Sequence, residues 1–104
     1  MERPPTRFDV RSSDDCTVIC VVGDLDSDSA PQLRTMLAKQ FDARRDVIVD
    51  LAGCPFLDSV GIGVLVYGWK AASTQGSRFH LRNVGRYARR VLDLVGLSDL
   101  IPVA

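Results

Sequence analysis

The sequence predicts an α/β fold, in which a mixed, mainly parallel β-sheet carries helices and the chain opens with a β-hairpin. Apolar, β-branched runs of strand length alternate along the 104 residues with segments of helical periodicity. Strand–helix units repeated in this way form parallel sheets with right-handed crossovers. Because the length is near the commonest domain size, we expect residues 1–104 to form a single domain.

Composition excludes several classes of function. Hydrophobic residues make up 46% of the chain and charged residues 25%, as in ordinary globular proteins. No apolar run approaches the roughly 20 residues that span a bilayer, and the Met1–Arg7 start is not typical of a signal peptide. We therefore expect a cytoplasmic protein without membrane insertion. The 13 basic and 13 acidic residues balance, which argues against nucleic acid as a partner.

The opening hairpin is predicted from two strand-like runs. Phe8–Arg11 is a short edge strand, Ser12–Asp15 is a turn, and Thr17–Val22 is apolar at every position after its threonine. A strand that is apolar on both faces is typical of the centre of a covered sheet. We therefore expect the second strand to be central, with both of its faces buried.

The first helix is predicted from its start signals and its periodicity. Ser29 and Gln32 match a capping box, and Pro31 falls in the first turn, where a missing N–H has no cost. Apolar residues then recur at helical spacing. They are Leu33, Met36, Leu37 and Phe41. The helix should end near Asp42.

A buried strand and a second helix follow. Val47–Leu51 is a β-branched run, and a loop marked by Gly53 and Pro55 comes after it. Asp58 and Ser59 are both N-cap residue types, so the helix should begin at one of them and run from about Ser59 to Gln75, closed by Gly76. The predicted core positions on this helix are Ile62, Leu65, Val66 and Trp69.

The last third of the chain adds a strand and a helix. Arg78–Asn83 alternates polar and apolar residues, with His80 on the solvated face. Gly85–Val95 is predicted as a helix that ends at Gly96 in a left-handed conformation. Its inward residues are expected to be Tyr87, Val91, Leu92 and Val95. Leu100–Val103 is a candidate for a last short strand.

Polar residues follow two strands that should be neighbours. Asp24 and Asp26 come after the second strand, and Asp58 and Ser59 come after the third. The carboxyl ends of parallel strands meet at one edge of the sheet, where α/β folds commonly bind ligands. We therefore expect Asp26 and Ser59 to lie close together.

Ser59 has two interpretations. It is either an N-cap residue or a hydroxyl held for modification beside unpaired backbone N–H groups at the positive end of a helix dipole. Local sequence favours the cap. Gly61 and Gly63 favour the second interpretation, because each costs a helix roughly 1 kcal/mol relative to Ala, which suggests close approach by another backbone or a phosphate.

Metal, cofactor and enzyme sites are not predicted. Cys16 and Cys20 lie too far apart in one strand to form a disulfide, Cys54 is alone in a loop, and His80 is the only histidine. A calcium loop that began at Asp24 would need Gly and Glu where the chain has Ser29 and Thr35. No nucleophile elbow and no phosphate-binding Gly-Lys motif is found.

Five segments together resemble the STAS domain, and within that family the bacterial anti-sigma factor antagonists. The segments are Gly23–Asp26, Ala30–Arg34, Asp50–Leu51, Phe56–Leu65 and Arg90–Leu97. The resemblance covers about residues 8–103. It implies that Ser59 is the phosphorylated residue. Asp26 corresponds to the family's Asp after the second strand, and Gly61 corresponds to the Gly that follows the phosphorylated residue. One departure is Val60, where the family often has a second Ser or Thr.

The resemblance also implies a function. The unmodified protein would bind an anti-sigma factor serine kinase with a histidine-kinase-like ATPase fold and so release a sigma factor. Phosphorylation of Ser59 would switch this binding off, and a phosphatase acting on phosphorylated Ser59 would restore it. The protein would be a substrate rather than an enzyme, and a monomer by itself. Alternative functions are a STAS subunit of a lipid ABC transporter or of a stress-signalling scaffold.

The partner-binding surface is predicted at the start of the second helix. This helix is apolar almost all round, so it is either enclosed by the fold or presents an apolar patch to a partner. The residues assigned to the surface are Asp26, Asp58, Ser59, Val60, Gly61, Gly63 and Val64.

Overall fold

The computed structural model describes residues 4–103, which form a four-stranded sheet and three helices. The strands are β1 (Arg7–Ser12), β2 (Cys16–Val22), β3 (Asp46–Gly53) and β4 (Phe79–Arg82). The helices are α1 (Ala30–Asp42), α2 (Ser59–Gln75) and α3 (Arg86–Leu94). Met1–Arg3 and Ala104 lie outside the described residues, and the expectation that the Met1–Arg7 start is no signal peptide falls partly on them and stays a prediction.

The sheet has the predicted topology. Its order is β1-β2-β3-β4, with β1 antiparallel to β2 and the other two pairs parallel. The opening hairpin, the central position of β2 and the mainly parallel sheet are therefore confirmed. The bounds of α2 are also as predicted, and Gly76 ends it with φ 74°, which a side chain would disfavour. None of the helices in residues 4–103 combines the length and hydrophobicity that a bilayer crossing requires.

The hydrophobic core lies on one face of the sheet. Ile19, Val49 and Leu81 are in register across three strands, and all are buried with apolar residues of the three helices in one cluster. On the other face, Val18 and Ile48 are only partly buried. The expectation that both faces of β2 are covered is therefore wrong, because every helix contributes its buried residues to the same face.

The end of the chain departs from prediction in two ways. Helix α3 buries Ala88 and Leu92, whereas Tyr87 and Val95 are about half exposed, so their assignment as inward residues is wrong. A helix of nine residues has room for one narrow contact row, and Ala88 and Leu92 occupy it as an i, i+4 pair. The last short strand is reduced to a single bridge between Leu81 and Val103.

Candidate functional site

The loop after β2 and the loop before α2 are joined by backbone hydrogen bonds. Leu25 N donates to Phe56 O at 3.0 Å, and Asp58 N donates to Leu25 O at 3.2 Å. Leu25 and Leu57 thereby form a parallel bridge, and both side chains are buried. The two loops therefore meet at the carboxyl edge of the sheet, as the topology predicts.

Asp26 organises the turn that leads into α1. Its Oδ1 accepts hydrogen bonds from Asp28 N at 3.0 Å and Ser29 N at 3.3 Å. The Ser29 hydroxyl donates to Asp24 O at 2.7 Å and accepts from Asp26 N at 3.1 Å. Ser29 is the N-cap residue of α1, but its side chain bonds back into the loop, so the predicted capping box is wrong. The half-buried Asp26 has a structural role in this turn.

Asp58 caps helix α2. It is extended at ψ −172°, and its Oδ1 accepts from Val60 N at 2.9 Å and Gly61 N at 3.0 Å. Two of the N–H groups expected to be free beside Ser59 are therefore occupied, and that expectation is wrong. A carboxylate at this end also interacts favourably with the helix dipole.

Ser59 is the first residue of α2 and not its cap, so the N-cap interpretation is wrong. The residue is exposed, and its hydroxyl makes no hydrogen bond within residues 4–103. A polar side chain with no partner and no packing role is available to another molecule. The Ser59 hydroxyl is thus presented at the edge of the sheet by a helix start that other residues hold in place.

Gly61 and Gly63 have different surroundings. A Cβ atom at Gly61 would clash with Leu25 O, so the crossing of the two loops requires a glycine there. A Cβ atom at Gly63 would meet no described atom within 4 Å. The close approach of another backbone or of a phosphate is expected at these glycines, and a backbone is found at Gly61 but not at Gly63.

The predicted partner surface is smaller than expected. Gly61 is buried beneath Leu25, and Val64 is 6% exposed, so neither presents surface to another protein. Helix positions 61, 64 and 65 face the core because α2 packs on α1 and on the sheet. The exposed residues that remain are Ser59, Val60 and Gly63, with Asp58 half-buried beside them.

An aromatic pair that the sequence patterns did not reveal involves the loop just before this surface. The rings of Phe56 and Tyr87 are stacked, with centroids 5.6 Å apart and planes 23° apart. They are 40% and 46% exposed, and Val60 in the first turn of α2 is 44% exposed. The available signal was an aromatic residue in a proline-containing loop, outside any strand or helix. The pair joins the loop before α2 to helix α3.

Cys54 lies in the loop between β3 and α2, and its side chain is buried. Burial raises the pKa of the Cys54 thiol, and the charges of Asp24 and Asp26 raise it further, although backbone hydrogen bonds oppose them. The thiol is therefore neutral at neutral pH and donates to Phe56 O at 3.2 Å.

Residues 4–103 contain no group of three or more His, Cys, Asp or Glu side chains that could hold a metal ion.

Asp50 links the carboxyl ends of β3 and β4. The residue is 7% exposed and accepts hydrogen bonds from Ala52 N, Arg82 Nε and Asn83 Nδ2 at 2.9 to 3.0 Å. Burial acts to raise the pKa of Asp50, but these hydrogen bonds and the charge of Arg82 outweigh it and lower the pKa below its ordinary value. The carboxylate therefore connects the carboxyl ends of β3 and β4 at the edge of the sheet from which the loop to α2 departs.

Comparisons with known proteins agree with this fold. The sequence-family model of the STAS domain matches residues 7–104 of this chain. The anti-sigma-B factor antagonist of Bacillus subtilis (strain 168) is 30% identical over 96 residues, which cover 92% of this chain and 88% of that relative.

Two solved structures are similar over most of their length. An anti-sigma factor antagonist from Mycobacterium paratuberculosis matches with a TM-score of 0.86 and 25% identity, over 99% of this chain and 89% of the other. The Bacillus cell fate determinant SpoIIAA in its phosphorylated form matches with a TM-score of 0.76 and 22% identity, over 94% and 91%. At the latter identity the likeness shows the fold alone.

Proposed function

The chain belongs to the STAS domain family, and on that premise we propose that it is an anti-sigma factor antagonist switched by phosphorylation of Ser59. In its unmodified form it binds an anti-sigma factor that is also a serine kinase with a histidine-kinase-like ATPase fold. This binding releases a sigma factor. The relative from Bacillus subtilis, which is named an anti-sigma-B factor antagonist, supports the assignment.

The observation that carries the proposal is that Asp58 caps helix α2 while Ser59, the next residue, is exposed. Asp58 satisfies the helix N-terminus, so the exposed Ser59 hydroxyl is not needed for folding. A kinase must bring the terminal phosphate of its nucleotide in line with the accepting hydroxyl, and this requires an accessible group on a rigid support. Ser59 on the first turn of α2 meets both requirements.

Electrostatics explains how phosphorylation would end the interaction. The modification adds about −1.5 to −2 charges beside the Asp58 carboxylate. Val60 N and Gly61 N already bind Asp58, so they cannot neutralise the phosphate unless Asp58 is displaced. In the complex the new phosphate would also face the phosphates of the kinase's nucleotide. Repulsion and desolvation there would lower the affinity by about 100-fold or more, roughly 3 kcal/mol.

The protein itself performs no chemistry in this scheme. It is the substrate of the kinase, and a phosphatase acting on phosphorylated Ser59 returns it to the binding form. It works in the cytoplasm as a monomer until it meets its partner. The neutral overall charge agrees with a partner that is a protein rather than a nucleic acid.

Phosphosite mapping tests the proposal. Purified anti-sigma factor kinases of the source organism are each incubated with ATP and the wild-type, Ser59→Ala or Ser27→Ala protein. Ser27 is a matched control because it is an exposed serine in the neighbouring loop. We expect one phosphate on the wild-type and Ser27→Ala proteins, and none on Ser59→Ala, which should still bind the kinase.

Two outcomes would contradict the proposal. Undiminished phosphate incorporation into Ser59→Ala would exclude Ser59 as the acceptor. Co-purification of a transporter ATPase with the protein, in place of a small kinase, would support the transporter function instead. Megadalton particles in size-exclusion chromatography would support the scaffold function.

A further inference from the structure

Exposed apolar residues flank Ser59 in the chain, and one of them contacts helix α3. Phe56 stands three residues before Ser59, and its ring stacks on Tyr87 of α3. About half of each of these two side chains remains exposed, and Val60 adds apolar surface on α2. Aromatic residues with one covered and one open face are typical of the energetically dominant parts of protein interfaces.

Helix α3 places unpaired positive charge beside this aromatic pair. Arg86, Arg89 and Arg90 are exposed, and none of them forms an ion pair or side-chain hydrogen bond within residues 4–103. Helical spacing sets Tyr87, Arg90 and the 80% exposed Leu94 along one flank, at i, i+3 and i+7. We refer to Phe56, Tyr87 and Arg90 as the aromatic–arginine surface.

We propose that the anti-sigma factor binds the aromatic–arginine surface in addition to the Ser59 region. An apolar pocket of the partner covers Phe56 and Tyr87, and a partner carboxylate pairs with Arg90. This inference rests on the proposed function and adds the chemistry of the partner. Ser59 determines whether the complex forms, whereas the aromatic–arginine surface supplies affinity and discriminates among related anti-sigma factors.

Charge complementarity favours an acidic protein surface over a nucleic acid. Arginines on α3 attract either kind of partner, but the two hydrogen-bonded loops that lead into α1 and α2 carry Asp26, Asp28 and Asp58. A polyanion long enough to cross this end of the molecule would meet these carboxylates. A folded partner can place its own acidic side chains opposite α3 alone.

Affinity measurements on matched variants test the inference. The probe is the purified anti-sigma factor kinase that binds the unmodified wild-type protein in calorimetry. Tyr87→Ala and Arg90→Glu should each raise the dissociation constant about tenfold or more, and Tyr87→Phe, which keeps the ring, should change it less than about twofold. The Arg90→Glu effect should weaken as salt concentration rises.

Two controls lie at the opposite end of the molecule. Leu100 is 49% exposed and Arg78 is exposed, and both border a cavity of about 180 Å³ near the amino end of β4. Leu100→Ala and Arg78→Glu should bind as the wild type does. Arg90 has no side-chain hydrogen bond or ion pair within residues 4–103, so Arg90→Glu keeps the test decisive even if Tyr87→Ala unfolds.

The outcomes separate this inference from the proposed function. If no anti-sigma factor kinase binds the wild type, both fail. In another outcome, a kinase binds the wild type and phosphorylates Ser59, while Tyr87→Ala and Arg90→Glu bind it as tightly as the control variants do. That outcome overturns only the present inference. Binding of a labelled DNA duplex that is lost in Arg90→Glu would also overturn it, because α3 would then serve a nucleic acid.

Discussion

Two glycines in the first turns of α2 show how differently single residues of one type can act. Gly61 lies against Leu25 O, where no larger residue fits, and Gly63 faces open space. The first is explained by the fold. The second weakens the helix with no steric reason in the described chain, which agrees with a role in partner binding.

Alanine substitutions should separate the two glycines. Gly61→Ala should destabilise the protein by about 1–3 kcal/mol, because overpacking against the Leu25 backbone exceeds the gain in helix propensity. Gly63→Ala should stabilise it by up to about 1 kcal/mol. Urea unfolding measures both, and a more stable Gly61→Ala protein would contradict the close approach seen at Leu25.

The stability of the protein should depend on the ionisation of Asp50. Its pKa is lowered in the folded state, so the carboxylate contributes stability above its unfolded pKa of about 3.9, and this is lost as pH falls through the folded pKa. Asp50→Asn should lose about 1–3 kcal/mol at pH 7, because charge-assisted hydrogen bonds are weakened. Its unfolding free energy should also fall less steeply than that of the wild type below about pH 4.

Urea unfolding at several pH values checks this expectation, and Asp9→Asn is the control. Asp9 pairs with Arg7 at 3.2 Å on the exposed surface, where an ion pair contributes about 0–1 kcal/mol. Equal losses of unfolding free energy in Asp50→Asn and Asp9→Asn at neutral pH would show that the buried Asp50 carboxylate contributes no more stability than an exposed one.

At the scale of elements, the start of α2 depends on Asp58. Removing its carboxylate leaves Val60 N and Gly61 N without their partner. Asp58→Ala should therefore cost about 0.5–2 kcal/mol in urea unfolding. Asp28→Ala is the matched control, since that side chain accepts no hydrogen bond within residues 4–103 and its loss should have little effect. Similar losses in both variants would argue against the cap.

Local chemistry explains which elements were predictable. The bounds of α2 follow from Asp58 and Gly76, which act on the residues next to them. The start of α1 has the same kinds of signal, yet the Ser29 side chain bonds to Asp24 and Asp26 instead of the helix. Side-chain bonds to a preceding turn compete with capping, and sequence alone does not show which arrangement has the lower energy.

Helical periodicity has a similar limit. It identifies the apolar side of α3 but not how much of that side the fold covers, and so it misassigned Tyr87. The contact of Tyr87 with Phe56 joins residues that are distant in sequence, so the aromatic residue in the proline-containing loop did not indicate its partner.

At the scale of the whole molecule, topology made the meeting of the two loops predictable. Parallel pairing of β2 and β3 brings their following loops to one edge, whatever the details of each loop. The same topology did not reveal that the helices of residues 4–103 leave the opposite face of the sheet only partly buried, because Val18 and Ile48 are as apolar as core residues.

The switch should act without refolding the protein. Ser59→Asp places a negative charge at an exposed position that has no contact to lose. We expect its unfolding free energy to stay within about 0.5 kcal/mol of the wild type. Its affinity for the kinase should nevertheless fall. Loss of folded structure in this variant, measured by urea unfolding, would indicate that Ser59 has a structural role after all.

The most direct test compares two preparations of the unaltered chain in calorimetry with the anti-sigma factor kinase, one unmodified and one fully phosphorylated at Ser59. We expect the phosphorylated protein to bind about 100-fold or more weakly while its unfolding transition stays the same. Equal dissociation constants for the two preparations would contradict a charge-gated hydroxyl at the start of α2.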